Sequence, residues 1–119
     1  MADWSIEHIS AVTLAVRDMA ESVAFYERLG LDVTYGGPQA AFTTLRADQA
    51  VINLRRAAVD GQSPWSRVIL RVRGVDALHR DLAARGVVAP APRNAEWGER
   101  YFEVLDPQGV VISFAELLP

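Results

Sequence analysis

Apolar residues alternate with small or polar ones from Val12 to Val16. Val12, Leu14 and Val16 fall on one face, and Ala11, Thr13 and Ala15 on the other. This period of two predicts a half-buried strand. At Asp18 the period changes: Met19, Val23, Tyr26 and Leu29 recur at helical spacing, giving one apolar stripe. Asp18 stands where a capping carboxylate is wanted, with Glu21 three residues on, close to a capping box. Gly30 ends the helix. Leu31 to Tyr35, Ala41 to Arg46 and Ala50 to Arg55 then read as three strands, parted by turns at Gly36-Gly37-Pro38 and Ala47-Asp48-Gln49.

The same order returns after a polar link from Ala57 to Pro64. Shifted by 56 positions, Val12, Leu14, Val16, Arg17 and Gly30 fall on Val68, Leu70, Val72, Arg73 and Gly86. Arg67 to Arg73 alternates as a strand. Asp76 is expected to cap a helix that carries Leu78, Leu82 and Ala83 and stops at Gly86. Val87 to Ala89 reads as a short strand, and Ala89 to Ala95, with Pro90 and Pro92, as a loop. Glu99 to Leu105 and Val110 to Leu117 are the last strands, joined by a turn at Asp106-Pro107-Gln108-Gly109. The chain is thus expected to be an α+β protein of one domain, residues 1–119. Its two tandem βαβββ modules, about 8–56 and about 65–118, would form a curved mixed sheet with an open cleft. Duplicated units of this kind build one pseudo-symmetric body.

Composition narrows the function. Half of the 119 residues are hydrophobic and 23% are charged, as in ordinary globular domains. A net charge of −3 argues against nucleic acid as a partner, because phosphate wants a basic face. The absence of cysteine excludes disulfides, thiolate metal sites and a cysteine nucleophile. No apolar run is long enough to span a bilayer, and Met1 to Ser10 lacks the basic and apolar regions of a signal peptide. A cytoplasmic protein with no membrane partner is expected.

Two stretches carry a resemblance. One is Leu14 to Asp18 running into Ser22-Val23-Ala24-Phe25-Tyr26 and Leu29-Gly30-Leu31. The other is Trp97-Gly98, Phe102 and Asp106-Pro107-Gln108-Gly109 before a final strand. With the duplication, they resemble the vicinal oxygen chelate superfamily, which includes glyoxalase I, extradiol dioxygenases and bleomycin-resistance proteins. The resemblance implies the fold and leaves the activity open, since the superfold hosts isomerases, lyases, oxygenases and binders. Metal enzymes of the group place His, Glu, His and Glu on the first and last strands of the two repeats. Those positions fall on Ala11, Asn53, Arg67 and Ser113 here. Alanine has no donor, arginine stays protonated, and asparagine and serine are weak neutral ligands. The resemblance therefore points to the metal-free branch, with no cofactor. The two histidines, His8 and His79, both read as surface residues.

The resemblance and strand parity together give a candidate ligand-binding set of Phe42, Asn53, Trp65, Arg67, Trp97, Glu103 and Ser113. Val51, Arg55, Ile69, Arg71, Tyr101, Val111 and Ala115 follow by alternation, and Thr44 is a second candidate to close the site. Trp97 either lines the pocket or packs in the core or at an interface. Trp65 suits interface packing, and Trp4 packs on a partner or lies loosely. Arg67 either receives an anionic or carbonyl-bearing ligand or pairs with Glu103; the pairing is preferred. No catalytic residue is assigned. The expected function is binding of a hydrophobic or aromatic small molecule, of sequestration or drug-resistance type, at a homodimer interface. The alternatives are a glyoxalase-like lyase or isomerase or a dioxygenase with a non-standard metal site, and a partner-binding module with an empty cavity.

Overall fold

The structure is a computed structural model that describes residues 3–60 and 66–119; Trp65 lies outside the described residues. The first module runs β1 (Val12–Val16), α1 (Met19–Arg28), β2 (Asp32–Tyr35), β3 (Phe42–Ala47) and β4 (Ala50–Arg56). The second runs β5 (Arg67–Arg71), α2 (Val75–Ala84), β6 (Arg93–Asn94), β7 (Glu99–Leu105) and β8 (Val111–Leu117). Each forms its own four-stranded mixed sheet, ordered β1-β4-β3-β2 and β5-β8-β7-β6. β1 lies parallel to β4 with Val12 opposite Ile52 and Leu14 opposite Leu54. β5 repeats this against β8, with Val68 opposite Ile112 and Leu70 opposite Phe114.

Alternation decides which face each sheet buries. Leu14, Val16, Leu45, Ile52 and Leu54 in the first sheet, and Phe102, Val104, Ile112 and Phe114 in the second, are buried in one core that runs through both modules. The stripe on α1 is as the spacing predicts: Met19, Val23, Tyr26 and Leu29 are all buried. Asp18 accepts from the Glu21 amide at 3.0 Å. Both helices end alike. The amide of Leu31 reaches Tyr26 O at 3.2 Å, and that of Val87 reaches Leu82 O at 2.9 Å, as expected beyond a glycine stop.

Two local expectations are corrected. Asp76 does not cap α2. The cap residue is Gly74 in a left-handed conformation, and the Gly74 and Val75 amides donate to the Glu116 carboxylate at 2.7 and 3.0 Å. A carboxylate from β8 satisfies the helix start, and Asp76 pairs with Arg100. The sixth strand is also displaced. Val87 spends its amide on the helix stop, Val88 is fully exposed, and pairing begins only after Pro92, with Arg93 opposite Tyr101. Prolines lack the N–H that a ladder needs, so the strand starts at the first residue past them.

At one glycine the backbone itself forbids a side chain. Gly36 has φ +76°, and a Cβ there would collide with the Phe42 carbonyl oxygen. The neighbouring Thr43 hydroxyl, fully buried, accepts from Gly37 N at 3.0 Å and donates to Gly37 O at 2.9 Å. Gly36→Ala is expected to destabilise the protein by about 2 kcal/mol in urea unfolding, through strain at a positive φ. A loss below about 0.5 kcal/mol would show that this turn relaxes freely.

The described residues have a radius of gyration of 15.2 Å and extents of 50 × 41 × 26 Å. A compact chain of this length has a radius near ~13.5 Å, so the two modules form an elongated, open body.

Candidate functional site

Residues that alternate with the core line the outer face of each sheet. On the second sheet, Glu103 lies opposite Ser113 and Tyr101 opposite Ala115 across β7–β8. Arg67 and Arg71 on β5 are opposite Val111 and Ala115. The side chains form a charged lattice. Arg67 meets Glu103 at 2.8 Å, and Arg93 reaches the same carboxylate at 3.4 Å. Arg71 reaches Glu99 at 3.4 Å. Trp97 donates its indole N–H to Glu99 at 2.7 Å, and its ring centroid lies 5.8 Å from that of Tyr101. The Arg93 guanidinium sits 4.3 Å from the Tyr101 centroid, a cation–π contact.

The outer face of the first sheet is quieter. The Asn53 side-chain oxygen accepts from the Thr44 hydroxyl at 2.7 Å, and its amide donates to Thr13 at 3.3 Å. Phe42 is opposite Arg55 and meets Tyr35 edge to face at 6.5 Å. Between the modules runs a cleft of about 730 Å³. Ile9, Ala11, Val12 and Ala47–Ile52 form one side, and Arg67–Arg71 the other. Its size suits a small ligand. A second cleft, of about 520 Å³, opens on the helix side beside Phe25, Arg28, Val88 and Leu105; of the charged lattice, Glu103 alone borders it.

The candidates therefore fall into two groups. Arg67, Glu103 and Ser113 share the second sheet, with Trp97 in the turn between β6 and β7, and Asn53 and Phe42 are on the first. Of these, Arg67 borders the cleft between modules. Ser113 is buried at 3% exposure, while Trp97 is 67% exposed. Arg93 belongs to the lattice, although sequence reasoning assigns it to a loop. The only local sign of it is a strand-compatible stretch after Pro92. Arg67 is paired as preferred, but its side chain is 45% exposed. Burial does not force the pairing, and an exposed pair of this kind contributes about 0–1 kcal/mol. It positions the two groups more than it stabilises the fold.

The donor set does not fit a divalent metal. Ala11 offers nothing, Asn53 is engaged by two threonines, and Arg67 is a cation with its counter-ion in place. Among the described residues no three His, Asp or Glu side chains gather closely enough to hold an ion. His8 is exposed as expected. His79 is not a plain surface residue: it is half-buried, its ring stands edge-on to Phe102 at 5.0 Å, and Nε2 lies 3.0 Å from Ala89 O. A carbonyl only accepts, so this nitrogen carries the hydrogen.

On the far edge of α2, the Gly74 and Val75 amides hold the Glu116 carboxyl below the usual carboxylate range. The hydrogen bond from Arg100 does the same for Asp76. Both are anchors of the helix start. Among the described residues no helix is long and apolar enough to cross a membrane.

Comparison with known proteins agrees with this architecture. Bleomycin resistance proteins from Geobacillus stearothermophilus and Staphylococcus aureus are 26% identical to the chain, over 88% of its length and 93% of theirs. The crystal structure of a bleomycin-binding protein complexed with bleomycin superimposes with a TM-score of 0.76 at 22% identity, covering 92% of this chain and 98% of that one. The bleomycin resistance determinant encoded on transposon Tn5 gives 0.78 at 21% identity, over 93% and 98%. These two structures share the fold. The profile of the glyoxalase/bleomycin resistance protein/dioxygenase superfamily matches residues 5–114, and the chain belongs to that superfamily.

Proposed function

We propose that the chain is a metal-independent binding protein of the cytoplasm. It would act as a homodimer that captures a hydrophobic or aromatic small molecule, in the manner of a sequestering resistance protein. The observation that carries this reading is the Arg67–Glu103 pair at 2.8 Å. An arginine and its counter-ion take one of the positions where the superfamily's metal enzymes place a histidine. Lyase, isomerase and dioxygenase chemistry in this group draws on a Lewis acid, and Ala11, Asn53, Arg67 and Ser113 supply no set of charged donors for one. The outer faces supply instead what small-molecule sites use, aromatic and apolar walls with a few polar points. The names of the bleomycin resistance relatives support a drug-type ligand. Dimerisation is supported by the exposed large apolar side chains Trp4, Ile6, Ile9 and Ile69, which a partner chain would cover.

Native mass spectrometry tests both parts at once. After incubation with zinc, nickel, manganese and ferrous iron, the main species is expected at twice the 13.1 kDa chain mass, with metal well below one ion per chain. Bound compound is expected to be recovered unchanged. One ion per chain that survives dialysis, with turnover of the bound compound, sinks this reading in favour of a glyoxalase-like enzyme or a dioxygenase.

A further inference from the structure

The lattice on the second sheet is unbalanced. Arg67, Arg71 and Arg93 face two carboxylates, Glu99 and Glu103, on a chain whose net charge is −3. The local positive excess is thus a property of this face. Its members are not equally committed. Arg67 has the short contact to Glu103. Arg93 shares that carboxylate and rests on Tyr101. Glu99 takes its short hydrogen bond from the Trp97 indole, at 2.7 Å. Arg71 is left with a 3.4 Å contact to Glu99, and 59% of its side chain is exposed.

Arg71 also stands at an opening. It borders the cleft between the modules, beside Ile69 and across from Ala11, Val12 and Val51. It borders the adjoining recess with Arg73 as well. Asp48 lines both spaces. The charged side chains that line the main cleft are therefore Arg67, Arg71 and Asp48 among apolar walls; Glu103 holds Arg67 closely, and Glu99 holds Arg71 only at 3.4 Å. A guanidinium keeps its charge at every accessible pH and offers paired N–H donors in the geometry of a carboxylate or sulfonate.

We infer that the cleft selects anionic aromatic compounds, aromatic carboxylates or sulfonates, with Arg71 receiving the acid group and the apolar walls the ring. The inference rests on the small-molecule reading above and names the ligand class for that site.

Two fluorescent probes of nearly one shape separate the two ideas: anilinonaphthalene sulfonate, and neutral phenylnaphthylamine, which lacks the sulfonate. The sulfonate is expected to bind about tenfold more tightly, the scale of a charged hydrogen bond in a partly desolvated site, with a preference that shrinks as salt rises. Arg71→Gln is expected to bring the two affinities within about threefold of each other, by the loss of that same charged contact. Arg80→Gln, on the exposed side of α2, leaves the preference in place. Equal affinities in the parent protein overturn the charge selectivity and leave the small-molecule reading standing. A preference that survives Arg71→Gln overturns the assignment of the acid to Arg71. If neither probe binds, the small-molecule reading fails and this inference with it.

Discussion

Asp106→Ala is expected to cost about 3–5 kcal/mol of folding stability, the scale of removing one partner from a buried charged network. Asp106 is 5% exposed and serves three donors. Its Oδ2 accepts from the Tyr26 hydroxyl at 2.6 Å. Its Oδ1 accepts from the amides of Gln108 and Val110 at 2.9 and 2.8 Å. Alanine leaves all three without an acceptor where water does not replace it, and each orphaned buried donor costs about 1–3 kcal/mol. A domain of this size holds only about 5–15 kcal/mol in total, so much of the stability goes with one carboxylate. Urea unfolding followed by circular dichroism reads the change. A cost below about 1 kcal/mol would mean that solvent reaches this turn and that the network is ornamental.

The same carboxylate joins the two modules. Tyr26 belongs to α1 of the first, and Asp106 to the turn between β7 and β8 of the second. Gln108 from that turn accepts from the Arg17 amide at 3.0 Å, just ahead of α1, and Arg85 donates to Arg28 O at 2.9 Å. These contacts lie on the helix side and set how the two sheets stand to each other. The cleft between β1 and β5 has one wall from each module, and the Tyr26–Asp106 hydrogen bond ties those modules on the helix side, although neither residue lines the cleft.

How much of this could be read in the chain depends on how far each cause lies from its effect. Asp18 caps a helix that starts beside it, and Gly30 and Gly86 stop helices that end beside them. These are local and are visible as motifs. The cap of α2 is not, because its acceptor, Glu116, comes from a strand some forty residues away. Alternation along β5 and β7 places Arg67 and Glu103 on one face and so anticipates their pairing. It cannot find Arg93, whose strand is only two residues long and follows two prolines. Asp106-Pro107-Gln108-Gly109 is plainly a turn in the sequence, but nothing near it says that its carboxylate reaches Tyr26. The two outer faces are legible from parity; how they stand across the cleft is set by contacts between modules, to which periodicity is blind.

A second large effect is expected at high pH. Tyr26 is fully buried. Burial, then the charge of Asp106 and the hydrogen bond to it, push its phenol far above the ordinary 10.0. Below pH 10 the tyrosine is neutral in both folded and unfolded chains, and its contribution is fully present. Above that, the unfolded chain releases the phenolic proton while the folded one keeps it. The unfolded state then binds fewer protons, and stability falls by about 1.4 kcal/mol per pH unit. From pH 10 to 12 the loss comes to about 2.3 kcal/mol. The composition suits the measurement, because all 12 basic residues are arginine and there is no cysteine, so no side-chain amine or thiol titrates in this window. Urea midpoints taken from pH 9 to 12 should decline along this slope. Tyr26→Phe should start lower by about 1–2 kcal/mol, because Asp106 loses one donor, and should then decline less steeply. If the parent and Tyr26→Phe fall in parallel, the alkaline loss comes from elsewhere, and the hydroxyl between the modules is not the group that titrates.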